Sequence, residues 1–354
     1  MAADELIFDP GVLKDEALCE FQGYGAAERH GGVAILPWRA AWLEATAAGV
    51  AALGSAPSRD EGSFRQGLVH LQKSRAATWR DLGHAWQLIE PGGRLLVCGG
   101  NELGIRSAVK RLNRELGQEA RVLANRRHAR IVAFERTESS APEAAPASQI
   151  VLSPPGGDRQ ALHAEPGVFS AKRLDVGTQL LLEALAEQPP ARRVLDLGCG
   201  IGPLGLSALL RWPDARALLL DGDLRAVASG TRNADSLGVA SRSRVEWWDA
   251  EEACPEDDFD LALVNPPFHG GKEVDLRPAR AMFTRLTEAL SRGGRALIVA
   301  NRTLPYEHSL SAAGSMEILR AERGYKIIGF TRGRASTTPG SGRSRGGRSH
   351  SKSR

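Results

Sequence analysis

Val194-Leu-Asp-Leu-Gly-Cys-Gly-Ile-Gly202, with Pro203 directly behind it, is an apolar run that breaks into alternating glycines and then a proline. The run reads as a strand buried on both faces, and the glycines as a sharp turn. Pro203 reads as the first residue of a helix, where its missing N–H costs nothing. Glycines also let a ligand approach the main chain without a Cβ in the way. The spacing is Gly-x-Gly-x-Gly, not the Gly-x-Gly-x-x-Gly of dinucleotide folds. Taken alone it also fits a tight strand-to-helix turn that binds nothing.

Outward from that turn the pattern repeats. Strand-like and helix-like stretches alternate over residues 193–197, 203–211, 216–221, 224–237, 244–248, 259–264, 278–290 and 295–300. Such alternation calls for an α/β fold with a mainly parallel sheet flanked by helices. Ligands in these folds bind beyond the carboxyl ends of the strands. Three acids are predicted at such ends. Asp221 closes Ala217-Leu-Leu-Leu-Asp and suits the two hydroxyls of a ribose. Asp249 follows Val245-Glu-Trp-Trp and suits an adenine amino group. Asp196, inside the opening strand, suits the cationic end of a methionine moiety. With Gly198, Cys199, Gly200 and Gly202 they make a candidate pocket for S-adenosylmethionine, whose sulfonium also favours acids nearby.

A second motif, Val264-Asn-Pro-Pro-Phe-His269, reads as a strand ending in a stiff polar loop. An exocyclic amino group on a base is a poor nucleophile, because its lone pair is delocalised into the ring. Accepting both N–H bonds turns that lone pair toward an electrophile. Asn265 offers a side-chain carbonyl and Pro266 a backbone carbonyl, stiffened by Pro267. Phe268 offers a flat face for the base. His269 is read as a shaping or phosphate-contact residue rather than a base, since the methylated amino cation loses its proton readily. The two motifs together point to methyl transfer onto a nitrogen.

The chain also echoes itself. Glu90-Pro-Gly-Gly-Arg-Leu-Leu-Val-Cys98 matches Ser291-Arg-Gly-Gly-Arg-Ala-Leu-Ile-Val299, each after a helix-like stretch. Each half closes on a strand-like segment, Ala129-Arg-Ile-Val-Ala-Phe134 and Tyr325-Lys-Ile-Ile-Gly-Phe330. A duplication explains this. The first copy lacks both motifs; at the matching offset for Asn265-Pro-Pro-Phe268 it reads Phe64-Arg-Gln-Gly67. The expected organisation is a degenerate domain at 1–136 that binds RNA or braces its partner, a Pro-punctuated linker at 137–149, a catalytic domain at 150–331, and a disordered basic tail at 332–354.

Charge is unevenly placed. The formal net charge is +4, yet Arg332, Arg334, Arg343, Arg345, Arg348, Lys352 and Arg354 stand in the tail with no acid among them. The rest of the chain is therefore net acidic, and the tail reads as a phosphate-binding arm or, failing that, a solubilising extension with no specific partner. No apolar run is long enough to span a membrane, and the N-terminus lacks a signal-peptide pattern. Cys19, Cys98, Cys199 and Cys254 form no CxxC pair, which argues against zinc and against a disulfide framework. A reduced, cytoplasmic enzyme without a metal, acting as a monomer, is the expectation.

Glu165-Pro-Gly-Val-Phe-Ser-Ala-Lys-Arg-Leu-Asp-Val-Gly-Thr-Gln-Leu-Leu-Leu182, the two motifs, and Ile298-Val-Ala-Asn-Arg-Thr-Leu-Pro-Tyr306 together resemble the guanine-N2 ribosomal RNA methyltransferases, in particular the family of small-subunit methyltransferase C. Gly99-Gly-Asn-Glu-Leu-Gly-Ile-Arg-Ser107 is similar to that family's degenerate first domain. The resemblance implies two tandem Rossmann-like domains, a seven-stranded sheet in the second, and ribosomal RNA or a ribosomal subunit as partner. By position it carries acceptor roles to Asn265, Pro266, Pro267 and Phe268, and cofactor contacts to Asp196, Gly198, Gly200, Asp221 and Asp249. Large-subunit RNA is the alternative target of the same chemistry. Adenine-N6 and glutamine-amide methyltransferases share the Asn-Pro-Pro loop but typically carry Tyr after it. A non-catalytic ribosome-assembly factor is the alternative from another class. The tail after Arg332 has no counterpart in the family pattern.

Overall fold

The computed structural model describes residues 2–267 and 276–333. Phe268, His269 and the basic tail beyond residue 333 lie outside the described residues.

The first half runs α1 (Ala2–Ile7), β1 (Leu18–Phe21), α2 (Gly25–His30), β2 (Val33–Ile35), α3 (Arg39–Ala47), β3 (Ala51–Leu53), β4 (Phe64–His70), α4 (Arg75–Leu88), β5 (Ile89–Gly100), α5 (Ile105–Leu116), β6 (Arg121–Arg126) and β7 (Ala129–Glu135). A hairpin follows, β8 (Ser148–Leu152) and β9 (Gln160–Ala164). The second half runs α6 (Val176–Ala186), β10 (Arg193–Leu197), α7 (Pro203–Arg211), β11 (Arg216–Asp221), α8 (Leu224–Ser236), β12 (Ser243–Trp247), β13 (Phe259–Val264), α9 (Arg277–Ala289), β14 (Leu290–Asn301), α10 (Glu307–Leu310), β15 (Gly314–Glu322) and β16 (Tyr325–Arg332).

Each half builds a seven-stranded sheet, and the strand orders are the same: β3-β2-β1-β4-β5-β7-β6 and β12-β11-β10-β13-β14-β16-β15. The first five strands of each order are parallel, and the last two turn antiparallel. The fold is α/β, two Rossmann-like copies in tandem, as the repeated segments imply. Along β10 the side chains alternate between two apolar layers. Val194 packs with α6, α7 and α8, while Leu195 and Leu197 pack with α9. Burial on both faces is what the unbroken apolar strands require. The hairpin adds Ile150, Leu152, Leu162 and Ala164 to the α6–α8 layer.

The Pro-punctuated stretch before the hairpin lies against the first half: Trp86 Nε1 donates to the Ser140 carbonyl at 2.8 Å.

Strand register corrects one expectation. Val69 pairs with Val97 in the first sheet, and Val264 with Ile298 in the second. Val97 and Ile298 are matched positions of the repeated segment, so His70, not Phe64, stands where the second copy has Asn265. The connection from β4 to β5 is shorter than that from β13 to β14, and a fixed offset slides past this deletion.

Candidate active site

The glycine turn forms where β10 ends. Gly198 and Cys199 both donate their N–H to the Leu220 carbonyl, at 2.8 and 3.0 Å, which ties the turn to β11. Gly198, Gly200 and Gly202 have φ of 70°, 55° and 88°, the left-handed region that favours glycine. At Gly202 the need is also steric, since a Cβ would lie 2.8 Å from Leu206 Cδ1. Gly202 is the N-cap of α7 and Pro203 opens the helix.

Asp221 organises the loop from β11. Its Oδ2 accepts from Gly200 N at 2.7 Å and its Oδ1 from Asp223 N at 2.8 Å. Burial raises its pKa from 3.8 to about 6. Asp196 is wholly buried; Oδ2 accepts from Gly205 N of α7 at 2.8 Å, while Oδ1 has no partner. Burial first, then the charge of Asp221, lift Asp196 to about 7. An orphaned buried acceptor normally carries a penalty of about 1–3 kcal/mol, so an ammonium group is the chemistry that Oδ1 calls for. Asp249 stands just beyond β12, its own N–H given to Glu252 Oε2 at 3.1 Å.

A cavity of about 380 Å³ opens beside the turn. Gly198, Gly200, Asp221 and Asp249 line it on the cofactor side, and Asn265, Pro266 and Pro267 on the other. Asp196, Cys199 and Gly202 are not among the lining residues. Burial, then the charges of Asp221 and Asp196, push the Cys199 thiol well above its usual range, so it is a protonated core group. Asp221, Asp249 and the open space at Gly200 fit an adenosyl group, and the unpartnered Oδ1 of Asp196 suits an ammonium at its amino-acid end.

Asn265 is held by α6. Its Nδ2 donates to Thr178 Oγ1 at 3.0 Å and to Asp175 Oδ2 at 3.4 Å. Thr178 in turn donates its hydroxyl to Asp175 Oδ2. Asp175 is the N-cap of α6, accepting from Gly177 N at 2.8 Å and Thr178 N at 3.1 Å. With the amide donors directed at a helix cap, the carbonyl is the end presented to the cavity. Sequence reasoning assigned no role to Asp175 or Thr178; Asp-x-x-Thr before an apolar run is a helix-start signal that places them beside the Asn loop only once the fold is known.

Phe169 was also missed as a site residue. It is 64% exposed and lines the same cavity as Val168 and Asn265. An exposed aromatic in a cavity wall offers a flat face on which a ring can stack. Its loop is pinned by the first half: Gly167 has φ of 97°, and a Cβ there would lie 2.5 Å from Ala77 Cβ of α4.

The first copy carries no such pocket chemistry. Register pairs Phe21 with Ile35, and Leu197 with Leu220. Leu36 therefore stands in the place of Asp221, and Ala56 in that of Asp249. Glu20 replaces Asp196 and still ties down its helix, accepting from Ala26 N and Ala27 N at 2.8 and 2.9 Å. His70, at the place of Asn265, turns inward onto Glu20 Oε1 at 2.8 Å.

The family described as the methyltransferase small domain matches residues 159–329. The ribosomal RNA small subunit methyltransferase C of Pseudomonas entomophila (strain L48) is 35% identical over 278 residues, covering 77% of this chain and 81% of the relative. The ribosomal RNA large subunit methyltransferase G of Streptomyces coelicolor is 36% identical over 163 residues, covering 46% of this chain and 43% of the relative. A solved 16S rRNA N2 methyltransferase of T. thermophilus, in complex with AdoMet and guanosine, superposes with a TM-score of 0.82 at 26% identity, covering 94% of this chain and 91% of that one.

Proposed function

Because the chain belongs to the ribosomal RNA small subunit methyltransferase C family, we propose that the cavity between Asp221 and Asn265 is its methyl-transfer site. The protein is an S-adenosylmethionine-dependent methyltransferase that modifies the exocyclic N2 of a guanine in small-subunit ribosomal RNA. The sequence match to the large-subunit relative covers less than half of either chain.

When bound, S-adenosylmethionine supplies a methyl group on a positively charged sulfur. The chain's own residues hold and orient. Asp221 accepts from ribose hydroxyls, Asp249 from the adenine amino group, and Asp196 Oδ1 from the methionine ammonium. The Gly198–Gly202 turn lets the main chain lie close to that end. On the acceptor side, Asn265 Oδ1 and the Pro266 carbonyl accept the two N–H bonds of the guanine amino group, turning its lone pair out of the ring. Pro266 is buried and Pro267 exposed, so the loop is braced at one side and open to RNA at the other. Phe169, with Phe268, supplies the flat face for the base. Most of the acceleration then comes from in-line orientation.

The observation that carries this reading is the Asn265 amide, whose donors are fixed by Asp175 and Thr178 at the rim of an acid- and glycine-lined cavity. The test is transfer of a labelled methyl group to separated small-subunit RNA, large-subunit RNA and protein, with digestion to nucleosides. N2-methylguanosine from small-subunit RNA is expected; label in adenine, in large-subunit RNA or in protein overturns the assignment.

RNA capture is assigned to the first half and the tail. On α5, Arg106, Lys110 and Arg114 are exposed at one-turn spacing, a basic stripe suited to phosphates. The cations of the tail from 332 onward add phosphate affinity of the salt-sensitive kind. Among the described residues no helix is long and apolar enough to cross a membrane, and a cytoplasmic location follows from an rRNA substrate. A monomer is favoured because the two copies satisfy each other within one chain.

A further inference from the structure

Trp38 belongs to the first half, yet it lines the cavity of the second. It is 50% exposed although its backbone is locked into the contact between the halves. Arg39 N donates to the Gly222 carbonyl and Leu224 N to the Pro37 carbonyl, both at 2.8 Å. Trp247 Nε1 donates to the carbonyls of Pro37 and Gly222, both at 3.0 Å. Arg39 forks onto Glu252 at 2.8 and 2.9 Å, and Glu252 accepts the Asp249 N–H. The Trp38 backbone therefore has little freedom, while its indole makes the cavity wall.

The indole lies over Gly222, the residue directly after Asp221. A Cβ built on Gly222 would meet Trp38 Cε3 at 3.8 Å and Cζ3 at 3.9 Å, ordinary contact distances. Asp221 faces a ribose and Asp249 an adenine amino group on the reading above. The space between them, which Trp38 walls, is the place of the planar base itself. A flat indole face there gains from stacking on a purine, and the apolar lining of the wall offers it little else.

We propose that Trp38 is a cofactor-binding residue contributed by the first domain across the domain contact, stacking on the adenine ring of S-adenosylmethionine and of its demethylated product. The proposal rests on the cofactor reading of the cavity. It gives the degenerate copy a direct role: with Leu36 and Ala56 in place of its own acids it has no adenosine site, and it completes its partner's. Arg39 acts one step back as a positioning residue, fixing Trp38 on one side and the Glu252–Asp249 turn on the other.

The test is calorimetric titration of the full chain with S-adenosylhomocysteine. Trp38→Ala and Trp38→Leu are expected to weaken binding by about 5- to 100-fold, the range for losing one stacked base. Trp38→Phe, which keeps a flat face, is expected to stay within about 3-fold of wild type. Thermal unfolding accompanies each variant; the leucine form keeps apolar bulk, so a loss shared by alanine and leucine at unchanged melting temperature is loss of stacking. Alanine and leucine variants that bind as tightly as wild type overturn the proposal while leaving the cofactor site in place. A wild-type protein that does not bind S-adenosylhomocysteine overturns the cofactor reading and this proposal with it.

Discussion

Trp38 and Asp223 occupy the same position in the two copies, each at the N-cap of the helix after the second parallel strand, and they pair with each other as an antiparallel bridge. The hydrogen bonds around them are reciprocal: Arg39 N reaches the Gly222 carbonyl, and Leu224 N, at the place of Arg39, reaches the Pro37 carbonyl, at the place of Gly222. Residue for residue this is the contact of a symmetric dimer, made inside one chain. Gly54, which answers to Trp247 in register, sits against it so closely that a Cβ would be 3.0 Å from Trp247 Cη2. The second strand end of one copy was left free to keep its acid, while the other has packing and an aromatic wall in place of an acid.

Arg39→Ala tests that contact. The guanidinium is part-buried, forked on Glu252 and close over the rings of Trp42 and Trp247, with centroids at 4.9 and 5.0 Å. Its loss is expected to destabilise the protein by about 1–2 kcal/mol in urea unfolding, in the range for a charge-assisted pair that keeps some solvent. Cofactor affinity is expected to fall several-fold as well, because Glu252 also holds the Asp249 N–H. Unchanged stability and affinity together would mean the clamp is incidental.

Asp221→Ala removes the acceptor of two backbone N–H groups and the ribose partner at once. S-adenosylhomocysteine affinity is expected to drop by roughly 10-fold or more, the loss of charge-assisted hydrogen bonds of about 1.5–3 kcal/mol. Titration calorimetry reads it directly. An affinity equal to wild type would place the ribose elsewhere.

Acid strength sets a pH dependence. Asp196 and Asp221 have pKa values raised by burial, to about 7 and about 6 from 3.8. In the free folded protein they hold protons that the unfolded chain has released, so between about pH 4 and 7 their contribution to stability falls as pH rises. The cofactor's ammonium and hydroxyls need the charged acids, so binding expels those protons and affinity moves the opposite way. Affinity is expected to climb roughly 5-fold or more from about pH 5.5 to 7.5, with proton release seen as a buffer-dependent enthalpy. Asp196→Asn is expected to flatten the climb. A flat wild-type profile would show that neither acid changes charge on binding.

The fold was legible in the sequence because its signals are local. Apolar strands, the glycine turn and Pro203 all report on neighbours within a few residues. The repeated Gly-Gly-Arg segment carried the duplication. What stayed hidden depends on distant packing. Trp38 is an ordinary aromatic after a short strand until the fold lays it on Gly222, and Asp175 is a helix cap until β13 brings Asn265 beside it. The deletion between β4 and β5 left no mark that a fixed offset could detect, so His70 was not recognised as the counterpart of Asn265. The hairpin β8–β9 escaped because its strands are short and half-exposed.

Phe169→Ala separates base capture from chemistry. The ring is exposed and lines the cavity, and no ring contact to it is present among the described residues. Fold and cofactor affinity are expected to survive, while RNA saturates at higher concentration and transfer slows by about 10-fold, within the range for one stacked base. Methyl transfer measured across RNA concentration checks it. A wild-type dependence on RNA would leave the stacking role to Phe268.

Asn265 and Thr178 test the chemistry together. Asn265→Ala deletes one of the two carbonyls assigned to the guanine amino group but leaves the glycine turn and all three acids untouched. Single-turnover methylation is expected to fall on the order of 10²-fold or more, by analogy with losing a transition-state hydrogen bond, with cofactor affinity close to wild type. Thr178→Val keeps the carbonyl and removes the hydroxyl that accepts from Nδ2 at 3.0 Å. The amide then keeps only its longer contact to Asp175, and the rate is expected to fall by about 10-fold, less than for Asn265→Ala, since the acceptor is present but loosely aimed. Thr178→Ser, which restores the hydroxyl, is expected to recover most of the loss. Full activity in Asn265→Ala would make the Asn-Pro-Pro loop structural. A Thr178→Val defect that serine does not repair would trace to packing of α6 rather than to orientation of the amide.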